Sequence, residues 1–348
     1  MELRGTKFGR VFNASGARNF FPETGYWFHD VFKLIDLVLG LIMRILTLWL
    51  WKPRWFDTTG CTFITKTTTI NERKGFMPLE DGTIRPRELK PRCIIVKPFA
   101  GVVLNKVGLS GPGAAWLFKQ SIWQNLEQPF VVSFMSVGKT PAENLAELGA
   151  FIALLASQLR SFKSKVALQI NFSCPNTEHG QTVLLEEVRA ALDLIQTANI
   201  GVPVILKFNV ELPIETACKI AEHPGCDALE ISNTIPWGHL PKKINWRKLF
   251  GSDTSPLVGV GGDERGGGLS GAPLLPLVLD WLHRAKAAGL SKPLLVGGGI
   301  LSARDAVRVI DAGADAIVLG CVFMLRPWCI AEIIRKANET FEQYRPRY

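Results

Sequence analysis

The stretch Val166-Ala-Leu-Gln-Ile-Asn-Phe-Ser-Cys-Pro-Asn176 decides the fold of this chain. It begins as an apolar run typical of a strand buried on both faces, and it ends in a polar turn at Pro175. Short apolar runs recur after about residue 93 and alternate with amphipathic stretches. They predict strands at 130–135, 166–172, 203–208, 228–232, 294–297 and 316–319. The intervening stretches predict helices at 141–160, 184–198, 213–222, 273–288, 302–312 and 327–344.

Strands that alternate with helices imply a parallel sheet covered by helices. An open doubly wound sheet and a closed barrel both fit this alternation. Polar residues and glycines recur at the carboxyl ends of the strands, where barrel enzymes place their active sites. No G-x-G-x-x-G motif opens the first strand–helix unit, as it does in open dinucleotide-binding sheets. The sequence therefore predicts the α/β class, a (β/α)8 TIM barrel, as one domain over residues 1–348.

Composition excludes several classes of protein. The chain has 348 residues, of which 47% are apolar and 20% charged, so it carries enough apolar material for a large core. Its net charge of +9 suits an anionic ligand or an anionic lipid surface. No nucleic-acid motif is present, and no nucleic-acid partner is expected. Seven cysteines without a C-x-x-C pair predict no disulfide framework and no metal site, which fits a reducing, cytoplasmic location. The polar N-terminus is not a signal peptide.

Residues 26–55, YWFHDVFKLIDLVLGLIMRILTLWLWKPRW, interrupt the barrel pattern. This stretch predicts an inserted apolar helix with one narrow polar stripe and aromatic residues at both ends. It is long enough to span a bilayer, but Lys33, Asp36 and Arg44 would be costly at the bilayer centre. A helix in the membrane interface, or a monotopic hairpin, fits better. The alternative is an outer barrel helix that packs against the barrel and a second subunit of a homodimer.

The turn that ends the quoted stretch carries candidate chemistry. Asn171 and Asn176 each offer a carbonyl acceptor and an NH2 donor, the mixed set that a ring with alternating N–H and C=O groups requires. Cys174 is a candidate general base if its pKa is lowered. Taken alone, Cys174 is more simply an ordinary buried cysteine.

Glycines and lysines at other strand ends extend the candidate site. The strands that end in Gly297-Gly-Gly-Ile300 and Gly320-Cys321 leave backbone N–H groups free, and barrels commonly bind phosphate there. The run Gly266-Gly-Gly-Leu-Ser-Gly271 predicts a further glycine-rich turn, and together these sites favour a phosphate cradle over simple turns. Lys66 and Lys207 each close an apolar run. A lysine in such a position often only buries its aliphatic stem and extends its ammonium to solvent, but these two are predicted to face the same barrel mouth.

In these motifs the chain resembles the dihydroorotate dehydrogenase family, and within it the class whose base is cysteine. The resemblance runs from residue 13 to about residue 335, with interruptions near 20–60 and 75–103. It rests on nine ordered motifs: Asn13-Ala-Ser-Gly16, Ile64-Thr-Lys-Thr67, Asn105-Lys-Val-Gly-Leu109, Asn171-Phe-Ser-Cys-Pro-Asn176, Lys207, Ser232-Asn-Thr234, Gly268-Leu-Ser-Gly271, Gly297-Gly-Gly-Ile300 and Gly320-Cys321.

The resemblance implies oxidation of dihydroorotate to orotate in pyrimidine biosynthesis, with flavin mononucleotide (FMN) at the barrel mouth. It implies that the flavin is surrounded by Ala14, Ser15, Lys66, Thr67, Asn171, Lys207 and Ser232. It places the flavin phosphate at Gly271, Gly298, Gly299, Gly320 and Cys321. It places the pyrimidine ring at Asn105, Asn171, Asn176, Asn233 and Thr234, and the substrate carboxylate at Lys66 and the backbone of Val107, Gly108 and Leu109. Cys174 is implied as the base, and Lys207 as the cation that stabilises the reduced flavin.

The chain departs from the family pattern in three places. These are the apolar insert, the segment Glu72-Arg-Lys-Gly-Phe-Met-Pro78 with the long loop after it, and Cys321, where threonine is common. Cysteine-base relatives that are soluble pass electrons to fumarate or to a partner subunit, whereas membrane-bound relatives with a serine base use quinone. The insert therefore favours a quinone or another acceptor at the membrane. Two rival functions stay open: a dihydropyrimidine dehydrogenase that acts on uracil or thymine, and a non-catalytic flavin-binding protein associated with membranes.

Overall fold

A computed structural model describes residues 1–22, 57–88, 90–172 and 178–344. The predicted insert at 26–55, Cys174 and Asn176 lie outside these residues. The chain begins with a short antiparallel hairpin of β1 (Glu2–Leu3) and β2 (Thr6–Lys7). Leu3 and Phe8 pack into the apolar cluster inside the barrel, so this hairpin closes the amino-terminal end of the strands.

Seven parallel strands form the main sheet, in the spatial order β3-β13-β12-β9-β8-β7-β6. Their bounds are β3 (Val11–Asn13), β6 (Phe130–Phe134), β7 (Val166–Asn171), β8 (Val204–Phe208), β9 (Ala228–Ile231), β12 (Leu294–Gly297) and β13 (Ala316–Leu319). Segment 62–68 joins the two edges through parallel bridges from Thr62 to Phe12, from Ile64 to Val131 and from Thr68 to Phe134. This segment occupies the eighth position and closes the sheet, which confirms the predicted TIM barrel.

The interior of the barrel is layered because alternate residues of each strand point inward. The lower layer is apolar and includes Phe12, Ile64, Val131 and Ile205. Two positions further along the strands, the inward residues are polar and include Ser133, Gln169, Lys207 and Glu230, all of them buried. Outward residues such as Leu168 and Leu206 pack in the cluster that also holds the helices. The strands therefore bury apolar surface on both faces and carry a polar layer directly below the barrel mouth.

The helices follow the strands, as the alternation predicts. Their bounds are α1 (Ala114–Lys119), α2 (Pro141–Gln158), α3 (Glu178–Ala198), α4 (Ile214–Ala221), α5 (Trp246–Phe250), α6 (Leu274–Ala287), α7 (Ala303–Asp311), α8 (Val322–Leu325) and α9 (Ile330–Gln343). Thr140 and Ser302 cap α2 and α7 by accepting hydrogen bonds from the backbone N–H of Glu143 and Asp305. In the described ranges no helix has the length and apolar character that a membrane span requires.

A second sheet, antiparallel and in the order β10-β11-β5-β4, lies beside the barrel mouth. Its strands are β4 (Ile94–Lys97), β5 (Val102–Asn105), β10 (Ile235–Pro236) and β11 (Gly268–Gly271). The expected glycine-rich turn at 266–271 is therefore wrong for residues 268–271, which form β11. Strand pairing requires glycine here, because a Cβ at Gly268 would collide with the Thr234 side chain and one at Gly271 with the Gly101 carbonyl.

The predicted element bounds differ from the observed ones by at most two residues, with two exceptions. Helix α3 begins at Glu178 rather than at residue 184. The helix predicted at 327–344 is divided into a 3-10 turn (Pro327–Cys329) and α9. The antiparallel sheet was not predicted, because two of its strands, β5 and β11, pair residues that are far apart in the chain.

Candidate active site

A cavity of about 370 Å³ opens at the carboxyl ends of the barrel strands. The residues that the sequence analysis assigned to the site and that line this cavity are Ala14, Ser15, Lys66, Thr67, Asn105, Val107, Gly108, Leu109, Asn171, Lys207, Ser232, Asn233, Thr234, Gly298, Gly299, Gly320 and Cys321. Gly271 does not line it, although its neighbour Ser270 does. The fold thus brings almost all of the described candidates to one mouth.

One end of the cavity is suited to a small anion. Lys66 is buried, its ammonium donates a hydrogen bond to the Ser110 carbonyl and it lies 4.7 Å from the centre of the Phe20 ring. Burial lowers the pKa of Lys66 to about 8, since the charged form loses hydration without gaining a carboxylate partner. Within the described residues, no protein acceptor takes a hydrogen bond from the backbone N–H groups of Val107, Gly108 and Leu109. An incoming carboxylate would gain these donors together with the Lys66 charge.

Amide side chains occupy the middle of the cavity. Asn233 donates from Nδ2 to Oδ1 of Asn171 over 2.7 Å, and Asn233 Oδ1 accepts from the backbone N–H of Thr234 at 3.1 Å. Asn105 contacts the Gly268 carbonyl at 3.4 Å, which is a long hydrogen bond. These bonds fix the orientation of the Asn171 and Asn233 amides, and within the described part of the chain Nδ2 of Asn171 has no hydrogen-bond acceptor and can donate to a ligand. The set can therefore both donate to and accept from a planar polar ring.

Lys207 enters the cavity from β8. It is 4% exposed, and its ammonium lies 2.9 Å from Oε1 of Glu230 and donates to the Ser15 hydroxyl over 3.3 Å. The register of β8 and β9 pairs Lys207 directly with Glu230, so the ion pair is set by strand pairing. A lysine ammonium has three hydrogens, and two partners leave at least one for a ligand in the cavity.

A glycine cradle forms the end of the cavity beside β12 and β13. No protein oxygen in the described ranges accepts a hydrogen bond from the backbone N–H groups of Gly298, Gly299, Gly320 or Cys321. A Cβ at Gly299 would lie 2.7 Å from the Leu275 nitrogen and 2.8 Å from the Gly271 carbonyl. Burial raises the pKa of the Cys321 thiol to about 12, although nearby backbone N–H groups oppose this shift, so the thiol is uncharged at neutral pH. The backbone N–H groups of Gly299 and Cys321 are directed at the Cys321 sulfur, and an incoming phosphate would be a stronger acceptor for them than this uncharged thiol.

Part of the cavity wall was not predicted from the sequence. Met77 and Pro86 line it from the two ends of a hairpin arm, residues 77–87, which lies in the segment that departs from the family pattern. The arm is closed by a bridge between Leu79 and Pro86. It is anchored by the buried Ile84, whose carbonyl accepts from the Asn19 amide at 3.3 Å. Two prolines close to a Gly turn indicated a loop at this position, but no local signal indicated that the loop folds back over the mouth.

A parallel barrel whose mouth combines two lysines, several amides and a glycine cradle is typical of barrel enzymes that bind a phosphorylated ligand beside a small polar substrate. Comparison with known proteins identifies the particular family. The dihydroorotate dehydrogenase family model matches residues 58–341, and the chain belongs to this family. This match confirms the expected resemblance and the expectation of a dihydroorotate dehydrogenase enzyme.

Individual relatives of the chain include two kinds of dihydroorotate dehydrogenase. The catalytic subunit of dihydroorotate dehydrogenase B (NAD(+)) from Desulforamulus reducens is 27% identical over 75% of this chain and 79% of the relative. The same subunit from Desulforudis audaxviator is 29% identical over 74% and 78%. Dihydroorotate dehydrogenase A (fumarate) from Lacticaseibacillus paracasei is 30% identical over 62% and 69%. These relatives use different electron acceptors by name, so the family match leaves the acceptor of this chain open.

Proposed function

We propose that this chain oxidises dihydroorotate to orotate with FMN bound at the barrel mouth, and that it serves pyrimidine biosynthesis. One observation carries the proposal. A single cavity combines a lysine with three free backbone N–H groups at one end, a glycine cradle at another and paired amides between them. This combination suits an acidic pyrimidine next to a phosphorylated cofactor.

The residues present fit FMN. The cradle of Gly298, Gly299, Gly320 and Cys321 supplies backbone N–H donors for a phosphate, and a Cβ at Gly299 would collide with the Leu275 nitrogen and the Gly271 carbonyl that close the cradle. Ala14, Ser15, Thr67 and Ser232 line the cavity between the cradle and the two lysines. When bound, FMN supplies a ring that accepts the hydride of the oxidation.

The side chains bind and orient the substrate and move one proton. Lys66 and the N–H groups of Val107–Leu109 hold the substrate carboxylate, while Asn105, Asn171, Asn176, Asn233 and Thr234 hold the ring polar edges. Most of the effect of the amides is orientation. By its position in the family motif, Cys174 removes the proton from the ring carbon beside a carbonyl. Lys207 provides a fixed positive charge at the cofactor side.

For the second half of the reaction, we propose a quinone or another acceptor at a membrane surface. The support is the apolar sequence of residues 26–55 and the net charge of +9. Fumarate and a partner subunit remain the alternative acceptors.

The nearest rival is a dehydrogenase of uncharged dihydropyrimidines such as dihydrouracil. The buried Lys66 argues for the acidic substrate, because a ring without a carboxylate would bring no negative charge to offset this ammonium. The test is to mix the purified yellow protein anaerobically with dihydroorotate or dihydrouracil and to follow bleaching of the visible flavin band. Bleaching by dihydroorotate alone supports the proposal. Bleaching by dihydrouracil alone would show that the substrate is an uncharged dihydropyrimidine. A colourless protein that takes up no FMN would overturn the proposed cofactor as well.

A further inference from the structure

Six polar side chains form a closed ring inside the barrel, one from each of six neighbouring chain segments. The ring members are Ser15 after β3, Thr67 in segment 62–68, Ser133 on β6, Gln169 on β7, Lys207 on β8 and Glu230 on β9. Strand register aligns Ser133 with Gln169 and Lys207 with Glu230. Each member contacts the next. The successive distances, starting from Lys207, are 3.3 Å to Ser15, then 3.0 Å to Thr67, 2.9 Å to Ser133, 2.7 Å to Gln169 and 2.5 Å to Glu230, and Glu230 returns to Lys207 at 2.9 Å.

Two donors converge on the Ser15 hydroxyl, because the Lys207 ammonium and the Thr67 hydroxyl both donate to it. The Ser133 hydroxyl donates its single hydrogen to Oε1 of Gln169. Thr67 Oγ1 and Ser133 Oγ lie 2.9 Å apart and close the ring as a polar contact. Gln169 links Ser133 to the carboxylate, because its Oε1 accepts from Ser133 while its Nε2 donates to Glu230.

All ring members except Ser15 are buried, so the charges of Lys207 and Glu230 are poorly screened by solvent. Ser133, Gln169 and Glu230 are fully buried, and Thr67 and Lys207 are each 4% exposed. Glu230 Oε1 receives no hydrogen bond of normal geometry in the described residues, and the nearby Lys207 charge alone compensates it. A buried carboxylate without a cation would be strongly destabilising, so Glu230 and Lys207 depend on each other. Of the two charges, only Lys207 reaches the cavity.

We infer that Glu230 and Gln169 are positioning residues which hold the Lys207 ammonium at the cavity wall and offset its charge, and that they thereby set how readily the bound cofactor is reduced. This inference rests on the proposed function, since it requires FMN in the cavity. The ring as a whole carries one positive and one negative charge. The Glu230 carboxylate therefore partly offsets the Lys207 charge that faces the cofactor. Because the reduced cofactor is the more negative form, Glu230 determines how strongly Lys207 favours reduction.

The test is a measurement of the midpoint potential of the bound flavin in Glu230→Gln. This substitution keeps the shape of the side chain and removes its negative charge. With Lys207 no longer offset, we expect the equilibrium to shift towards reduced flavin by on the order of tenfold or more, as for the loss of one charge in a poorly screened site. The wild type and the variant are measured at the same pH and ionic strength, so that only the charge of the side chain differs. A potential equal to that of the wild type would overturn the inference.

Gln169→Leu guards against failure of the first variant to fold. It removes the hydrogen bond that holds Oε2 of Glu230, so the carboxylate offsets Lys207 less well and we expect the flavin potential to shift in the same direction as in Glu230→Gln. An unchanged potential in folded, flavin-bound Gln169→Leu would also overturn the inference.

Asp263→Asn is the matched control. Asp263 lies 3.1 Å from the buried Lys106 ammonium, which does not line the cavity, so the variant removes a carboxylate from a buried lysine elsewhere. We expect a lower unfolding temperature and an unchanged flavin potential. If Asp263→Asn shifts the potential as much as Glu230→Gln does, the effect is general destabilisation and the inference is wrong. If the wild-type protein binds no flavin, the proposed function has failed instead.

Discussion

Lys66 is the residue whose charge most directly governs the proposed substrate step. Its pKa is lowered to about 8 by burial, so the ammonium form dominates below pH 8 and the neutral amine above it. A bound carboxylate favours the ammonium, and binding above pH 8 therefore requires uptake of a proton. We expect the Kd of orotate to be flat up to about pH 8 and then to rise about tenfold per pH unit. This Kd is measured by titrating the protein with orotate at a series of pH values and following the change in the flavin spectrum.

Lys66→Met tests whether Lys66 causes the predicted pH dependence of orotate binding. The methionine removes the charge and keeps an apolar side chain of similar length in the buried site. Orotate should bind this variant at least tenfold more weakly at about pH 7, and the rise above pH 8 should disappear, because a charge-assisted hydrogen bond is worth roughly 1.5–3 kcal/mol. If the variant shows the same rise above pH 8 as the wild type, another group is responsible and Lys66 does not hold the carboxylate.

At the residue scale, the cavity wall could be predicted from the sequence more completely than the polar layer below it. Lys66, Lys207 and Asn171 were predictable because polar residues at strand ends are conspicuous. Gln169 and Glu230 were missed, although each is a polar residue inside an otherwise apolar strand, a pattern that signals an inward partner. Their partners could not be predicted from the pattern, since the contact between them joins residues 61 positions apart.

The glycine cradle beside β12 and β13 is the element on which cofactor binding is predicted to depend. Gly299 has φ of +77°, and a Cβ there would lie 2.7 Å from the Leu275 nitrogen. We expect Gly299→Ala to lose at least tenfold in FMN affinity, because the backbone must shift where the phosphate is held. The absorbance ratio of visible flavin to protein after gel filtration, and titration of the apoprotein with FMN, measure the effect.

Gly259→Ala is a matched control for the cradle. Gly259 has φ of +78°, almost the same backbone conformation, but a Cβ there meets nothing within 4 Å. It carries the same backbone strain without the steric clash, so flavin content should stay at the wild-type level. Equal loss of flavin in both variants would show that backbone strain, and not the cradle, controls binding.

The hairpin arm over the cavity gives a second prediction at the scale of an element. Ile84 is 5% exposed and anchors the arm, whereas Arg85 beside it is exposed. We expect Ile84→Asp to release the arm and to raise the KM for dihydroorotate several-fold, because Met77 and Pro86 then no longer close the substrate side. Flavin content should be unchanged. Arg85→Ala is the control, and a raised KM in that variant too would exclude anchoring as the cause.

The antiparallel sheet shows why short strands that pair with distant segments are difficult to predict from the sequence. The helices and parallel strands were predicted to within two residues in most cases because each has a local periodicity. Strand β11 is only four residues long and contains two glycines, and it pairs with β5 across more than 160 positions of sequence. Short strands stabilised by distant pairing carry almost no local signal, so the glycines were interpreted as a turn.

At the scale of the whole molecule, the prediction concerns the electron acceptor that reoxidises the reduced flavin. The sequence of residues 26–55 predicts an amphipathic helix whose apolar face includes Leu41 and Ile45, and the net charge is +9. We expect the purified protein to bind vesicles that contain anionic lipid and to reduce a short-chain quinone faster than fumarate. Vesicle flotation and anaerobic reoxidation of the reduced flavin measure the two properties.

A double variant separates the membrane from a subunit interface as the partner of this segment. Leu41→Asp with Ile45→Asp should abolish flotation with vesicles, since two carboxylates oppose both apolar burial and attraction to anionic lipid, while the flavin remains bound. Ile122→Asp with Val258→Asp makes the same charge change at two apolar positions that are exposed elsewhere, and it should float as the wild type does. If the first pair instead halves the molecular mass in solution and leaves flotation unchanged, the segment joins two subunits. Protein that stays in solution without detergent, floats with no vesicle and reduces no quinone analogue would leave fumarate or a partner subunit as the acceptor.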